Sequence, residues 1–101
     1  MIKLTLLYGN PTDKTAFEAY YKNTHLPLAA KMKGVSRIQF TTFTNKPDGG
    51  RPAYHRMAEL FFSSPDQLQE TMGSPEGKDA VNDLPKFATG GVEILIGKLD
   101  E

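Results

Sequence analysis

Proton transfer is the chemistry that the reactive residues of this sequence fit best, and three stand out by type and spacing: His25, Tyr21 and Asp83. An imidazole is the side chain whose unperturbed pKa lies nearest neutrality, so His25 suits a general acid or base. Tyr21 precedes it by four residues, one turn away on the same face of a helix. Its hydroxyl could donate to a substrate oxygen or orient the imidazole. Asp83 sits between Val81 and Leu84 in an otherwise apolar stretch, and a carboxylate facing a pocket could pair with His25. Each residue also has a plainer role. His25 can cap free carbonyls at a helix end. Tyr20 and Tyr21 can be core rings with their hydroxyls at the rim. Asp83 can be a solvated charge or a local cap beside Pro85.

Other chemistries find less support. His55 and Glu59 lie four apart on an expected strand and so share a face with Met57 and Phe61, lining a pocket or meeting a partner. Two histidines on separate elements lack a metal-ligand spacing, so no metal site is expected. The absence of cysteine excludes disulfides, thiolate metal sites and cysteine nucleophiles. Gly49-Gly50 and Gly90-Gly91 follow the pattern of turns, not of a phosphate loop. Lys and Arg number 12 against 12 Asp and Glu, and the basic residues are scattered, so nucleic acid is not an expected partner. No apolar run approaches the roughly 20 residues of a membrane span. Met1 to Tyr8 lacks the features of a signal peptide, and a cytoplasmic location is the default expectation.

The elements that would position these residues follow from periodicity and punctuation. Residues 1–101 suit one domain. Ile2 to Tyr8 alternates as a strand. Thr12 or Asp13 caps a helix whose stripe is Phe17, Tyr20, Tyr21, Thr24 and, if it continues, Leu28. Pro27 predicts a break near His25, and Gly34 a C-terminal stop. Val35 to Thr44 reads as a second strand and Tyr54 to Phe62 as a third, joined by the turn-rich 45–52 loop. Ser64, Pro65 and Gln67 form a helix start with a capping-box spacing, and Ser74-Pro75 repeats it. Ala80, Val81, Leu84 and Phe87 form that helix's buried stripe, and Val92 to Leu99 the last strand. The order βαββαβ predicts an α+β, ferredoxin-like fold, with an antiparallel four-stranded sheet and both helices on one face.

Adjacent apolar residues on the inner strands, Leu6-Leu7, Leu60-Phe61-Phe62 and Ile94-Leu95-Ile96, point to opposite faces of that sheet. The face away from the helices then needs a cover, and the simplest is the same face of a second copy, giving a homodimer through sheet faces. A few tolerated exposed apolar residues are the alternative.

Two segments resemble the EthD family. Tyr20-Tyr21-Lys22-Asn23-Thr24-His25-Leu26-Pro27-Leu28-Ala29 is similar to its first-helix motif, a His-x-Pro preceded by aromatics. Ser74-Pro75-Glu76-Gly77 through Asp83-Leu84-Pro85-Lys86-Phe87 is similar to its second signature. With the opening strand, the likeness spans nearly the whole chain. The resemblance implies a dimeric α+β barrel, its two sheets face to face and its helices outside, with a pocket in each subunit between sheet and helices. It implies little about chemistry. The family is named after an ethyl tert-butyl ether degradation cluster in which the protein's own role is undefined. Fungal relatives are dehydratases or decarboxylases of aromatic polyketides, and related barrels include cofactor-free monooxygenases, polyketide cyclases and muconolactone isomerases.

Residues and resemblance together lead us to expect a cofactor-free enzyme for a small hydrophobic, oxygenated molecule, aromatic or polyketide-like. His25 would move the proton in a dehydration, decarboxylation, cyclisation or isomerisation, with Tyr21 and Asp83 beside it. Phe17, Tyr21, Leu28, Leu84 and Phe87 would wall the pocket. The alternatives are a non-catalytic dimer, binding a small ligand or serving as an accessory in a degradation pathway, and a cofactor-free monooxygenase.

Overall fold

The computed structural model describes residues 1–100. Strand β1 (Ile2–Gly9) leads to helix α1 (Lys14–Tyr20), which continues through a wide π turn (Tyr21–His25) into a short helix α2 (Leu26–Ala29). Strands β2 (Arg37–Thr42) and β3 (Tyr54–Phe62) follow, then α3 (Pro65–Gly73), α4 (Pro75–Asp83), a 3₁₀ turn (Leu84–Lys86) and β4 (Val92–Lys98). The sheet has the order β2-β3-β1-β4, and every pairing is antiparallel. This is the ferredoxin-like α+β architecture that the element order predicts. Among the described residues no helix is long and apolar enough to cross a membrane.

The helix starts form as their sequences dictate. The Asp13 carboxylate accepts from the Ala16 N–H, and the Ser64 and Ser74 hydroxyls accept from the Gln67 and Gly77 N–H groups. The reciprocal arm of a capping box is not made after Ser64. Gln67 Nε2 instead donates to Thr71 Oγ1 at 3.1 Å. The helix stops before Gly34, the expected C-terminal stop: α2 ends at Ala29 with Ala30 as its C-cap, and Gly34, at φ +87°, lies in the turn that follows, where a Cβ would meet the Gln67 and Thr71 side chains.

Register assigns the faces. Leu4, Leu6 and Tyr8 of β1 stand opposite Leu60, Ala58 and Arg56 of β3, and all face the helices. Leu4, Leu6, Tyr8, Leu60 and Phe62 form the core with Phe17, Tyr21, Leu68, Leu84 and Phe87. Val81, expected inside, is exposed. The other face carries Thr5, Leu7, Met57 and Leu95, with a Lys3–Glu59 ion pair at 2.7 Å. Phe61 on that face is buried beneath the Arg37 guanidinium, 4.2 Å from its ring.

A β-bulge corrects one expectation. Tyr8 pairs with Arg56 and Gly9 with Tyr54, so His55 is the extra residue of β3. The bulge turns His55 toward the helices, away from the face that Glu59 occupies. His55 Nε2 and Arg56 both reach Glu18 on α1, Arg56 by two bonds of 2.6 and 2.8 Å and His55 at 3.2 Å. The Arg56 hydrogen bonds, aided by His55, outweigh burial and hold the Glu18 carboxyl down at about 2. A depressed carboxyl stabilises the fold above its unfolded value, 4.5, and loses that contribution as pH falls toward about 2. Between those pH values wild type should therefore lose more of its urea-unfolding stability than Glu18→Gln. Equal losses would contradict the clamp.

Candidate functional site

His25 owes its position to the π turn. In an unbroken α-helix the stripe begun by Phe17 and Tyr21 continues to Thr24 and Leu28. Pro27 has no N–H, and its ring would strike the carbonyl four residues back, so a break near His25 is the natural expectation. The chain stays helical by a different route. The Leu26 N–H reaches back five residues to the Tyr21 carbonyl, and one extra residue enters the turn. The inward stripe therefore moves on by one: His25, Leu26 and Ala29 face the sheet, and Thr24 is exposed.

The π turn brings His25 beside Asp83, at the end of α4. Nδ1 of His25 and Oδ2 of Asp83 are 3.0 Å apart, and both side chains are almost fully buried. The other carboxylate oxygen accepts from the Tyr20 hydroxyl at 2.7 Å, and Lys86 Nζ lies 3.9 Å away. Burial pushes the Asp83 carboxyl up. The hydrogen bonds from Tyr20 and His25, with the charges of His25 and Lys86, outweigh burial and leave it below its ordinary value. An ionised carboxylate only accepts, so Nδ1 of His25 is the donor and Nε2 is left for another partner. Tyr20 is the residue that sequence reasoning undervalued. Its signal was a phenol at the edge of the apolar stripe, where a ring can pack inside while its hydroxyl reaches a neighbour.

Tyr21 stacks on His25, ring centroids 5.8 Å apart and planes within 16°. Its ring packs against Tyr8, Phe17 and Phe87, and the Arg56 guanidinium lies 5.1 Å from it. Burial is the main cause that pushes the Tyr21 phenol up to about 12, so it stays protonated. Its hydroxyl is buried and has no hydrogen-bond partner, alone in this among the buried side-chain polar atoms of the described residues.

Of these groups, Tyr21 and His25 border an apolar cavity of about 410 Å³ between sheet and helices. Tyr21, His25 and Leu84 line it. Phe17, Leu28 and Phe87 do not. Phe17 and Phe87 pack behind the lining, 5.2 Å apart, and border a smaller surface hollow. Leu28 is turned off the cavity by the extra residue of the π turn, and Leu26 and Ala29 take its place. Most of the wall comes from elsewhere. Leu4, Leu6, Ala58 and Leu60 form its floor, Ile38, Phe40, Ile94 and Ile96 come from the edge strands, and Leu68, Met72 and Ala80 from α3 and α4. Alternation marks the inward face of a strand without showing whether helices fill the space over it. No group of three or more His, Cys, Asp or Glu among the described residues is placed to hold a metal ion.

The comparisons with known proteins agree with this architecture. The model of the EthD domain matches residues 10–91. An uncharacterised 11.0 kDa protein from the thcB–thcC intergenic region of Rhodococcus erythropolis is 34% identical over 95 residues, which cover 94% of this chain and 91% of that one. The crystal structure of an EthD family protein from Bacillus halodurans superposes with a TM-score of 0.93 at 35% identity, covering 99% of both chains. Two remoter structures share the fold alone. SnoaB, a cofactor-independent oxygenase from Streptomyces nogalater, matches at TM-score 0.67 and 13% identity, covering 99% of this chain and 93% of its own. A dimeric ferredoxin-like protein of unknown function from Bacteroides fragilis matches at 0.67 and 14%, covering 97% and 95%. With the family domain spanning the whole constellation from α1 through Asp83 to Gly91, this chain belongs to the EthD family.

Proposed function

We propose that this protein is a cofactor-free enzyme that moves a proton on a small hydrophobic, oxygenated molecule, aromatic or polyketide-like. The observation that carries the reading is the buried His25–Asp83 pair at the wall of an apolar cavity. Asp83 fixes the Nδ1–H tautomer and offsets the charge of an imidazolium as it forms, while Nε2 takes or gives the proton. Such chemistry serves dehydration, decarboxylation, cyclisation or isomerisation, and an apolar wall strengthens an electrostatic contact made against it. A cavity of this size falls within the range of small-molecule sites. A binder without catalysis would use the same walls, so turnover decides between them. Phenols, lactones and polyketide-like ketones would be offered to wild type, His25→Gln and Asp83→Asn, with products followed by mass spectrometry. His25→Gln is expected to lower kcat/KM by about 10²- to 10⁴-fold while ligands still raise its melting temperature. Equal turnover by wild type and His25→Gln would sink the assignment. Oxygenation is the second reading, favoured by the fold shared with SnoaB: Nε2 would deprotonate a phenol or enol, and the anion would react with dioxygen. Turnover that stops without oxygen selects it.

The working unit in this proposal is a homodimer closed through the outer sheet faces. The chain is a slab of 40 × 33 × 17 Å with a radius of gyration of 14.0 Å. About 13 Å is usual for a compact domain of this length. Leu95 is 51% exposed beside Thr5, Leu7 and Met57, with no third layer over them. A second copy would cover both patches at once, as an isologous contact does. Light scattering at micromolar concentration should give twice 11.2 kDa, and Leu95→Lys should shift it toward the monomer. A monomeric wild type would end the dimer proposal.

A further inference from the structure

The sheet register lays out the floor of the cavity. Phe40, Ala58, Leu6 and Ile94 stand opposite one another in a single row across all four strands. Ile38, Leu60, Leu4 and Ile96 form the next row, two residues along each strand. Both rows line the cavity. Neighbouring strands lie about 4.8 Å apart, so each row runs about 14 Å from β2 to β4.

The rows change character along their length. In the middle, Leu4, Leu6, Ala58 and Leu60 are buried beneath the helices, each 4 to 8% exposed. At the ends, Phe40 is 49% exposed, Ile94 45% and Ile96 61%. The space is therefore narrow and roofed over the middle strands, and it widens toward both edges of the sheet. Ala58 stands in the narrow part, between Phe40 and Leu6, with the smallest side chain of either row. Met32 and Met72 on the helix side are unbranched and adapt to what lies against them. None of the lining residues is Asp, Glu, Lys or Arg, and His25 is already bonded to Asp83. A charged group in the narrow part would lose its hydration without a counter-charge.

Resting on the small-molecule reading above, we infer that the cavity takes an uncharged molecule with an extended alkyl chain, laid across the strands over Ala58. The small side chain of Ala58 is what lets the chain pass, which makes this residue the determinant of chain length. A narrow roofed passage admits a chain and excludes a compact body of the same formula. Each methylene that enters adds buried apolar surface. Past the edge strands further methylenes meet water, and the gain ends.

The test uses four uncharged ketones: 2-pentanone, 2-heptanone, 2-nonanone and di-tert-butyl ketone, the compact isomer of 2-nonanone. Binding to wild type and Ala58→Leu is followed by chemical-shift titration of the protein. In wild type, affinity should rise about 2- to 4-fold per methylene from 2-pentanone to 2-nonanone. 2-Nonanone should bind at least about tenfold more tightly than its compact isomer. Ala58→Leu puts three more carbons in the middle of the floor. It should leave 2-pentanone within about twofold of wild type and cancel most of the gain from the longer chains. The same gain per methylene in a folded Ala58→Leu would overturn the role of Ala58. Were that variant unfolded, the two isomers on wild type would still decide. Equal affinity for those isomers would overturn the inference and leave the small-molecule reading standing. A wild type that binds none of the four ketones would overturn both.

Discussion

An ionised carboxylate in a protein interior has to be held by donors, and Asp83 imposes that demand on everything around it. Its two oxygens are met by His25 and Tyr20, which come from opposite ends of the π turn, with Lys86 at the surface side. One residue of α4 thus ties down both arms of the first helical segment. Removing either donor would leave a buried charge partly uncompensated. The arrangement also decides chemistry: with Nδ1 of His25 engaged by Asp83, Nε2 is the nitrogen left for another partner.

The same segment is anchored a second time, by Glu18 to the bulged end of β3 through His55 and Arg56. Between the two anchors lies the aromatic cluster of Tyr8, Phe17, Tyr21 and Phe87, three of its six ring pairs packed edge to face. These rings separate the clamp from the cavity, so the charges of Glu18 and Arg56 neutralise one another without entering the ligand space. Rigid support on one side and an open apolar space on the other is the division expected of a site whose reactive groups must be preorganised.

Much of this was legible in the residues. Ile2–Tyr8 and Tyr54–Phe62 were legible as strands, and Thr12-Asp13, Ser64 and Ser74 marked the helix starts where they occur. A carboxylate in an apolar stretch and a histidine in a His-x-Pro motif were enough to suggest a pair. The rest depends on backbone features that residue type alone does not show. Pro27 reads as a break, because nothing in the sequence says that a neighbouring N–H will reach back five residues. His55 reads as facing the way Glu59 does, because a bulge changes parity without changing composition. The cavity floor reads as core, because burial by helices and exposure to an internal space demand the same side chains.

The central claim is that Asp83 holds His25 as one tautomer, with Nδ1 protonated and Nε2 left to a ligand. Nitrogen NMR of ¹⁵N-histidine-labelled protein, at a pH where His25 is uncharged, reads this directly. The account predicts a protonated, hydrogen-bonded Nδ1 and an unprotonated Nε2, with the pattern lost in Asp83→Asn. An Nε2-protonated ring, or a tautomer indifferent to Asp83→Asn, would contradict it.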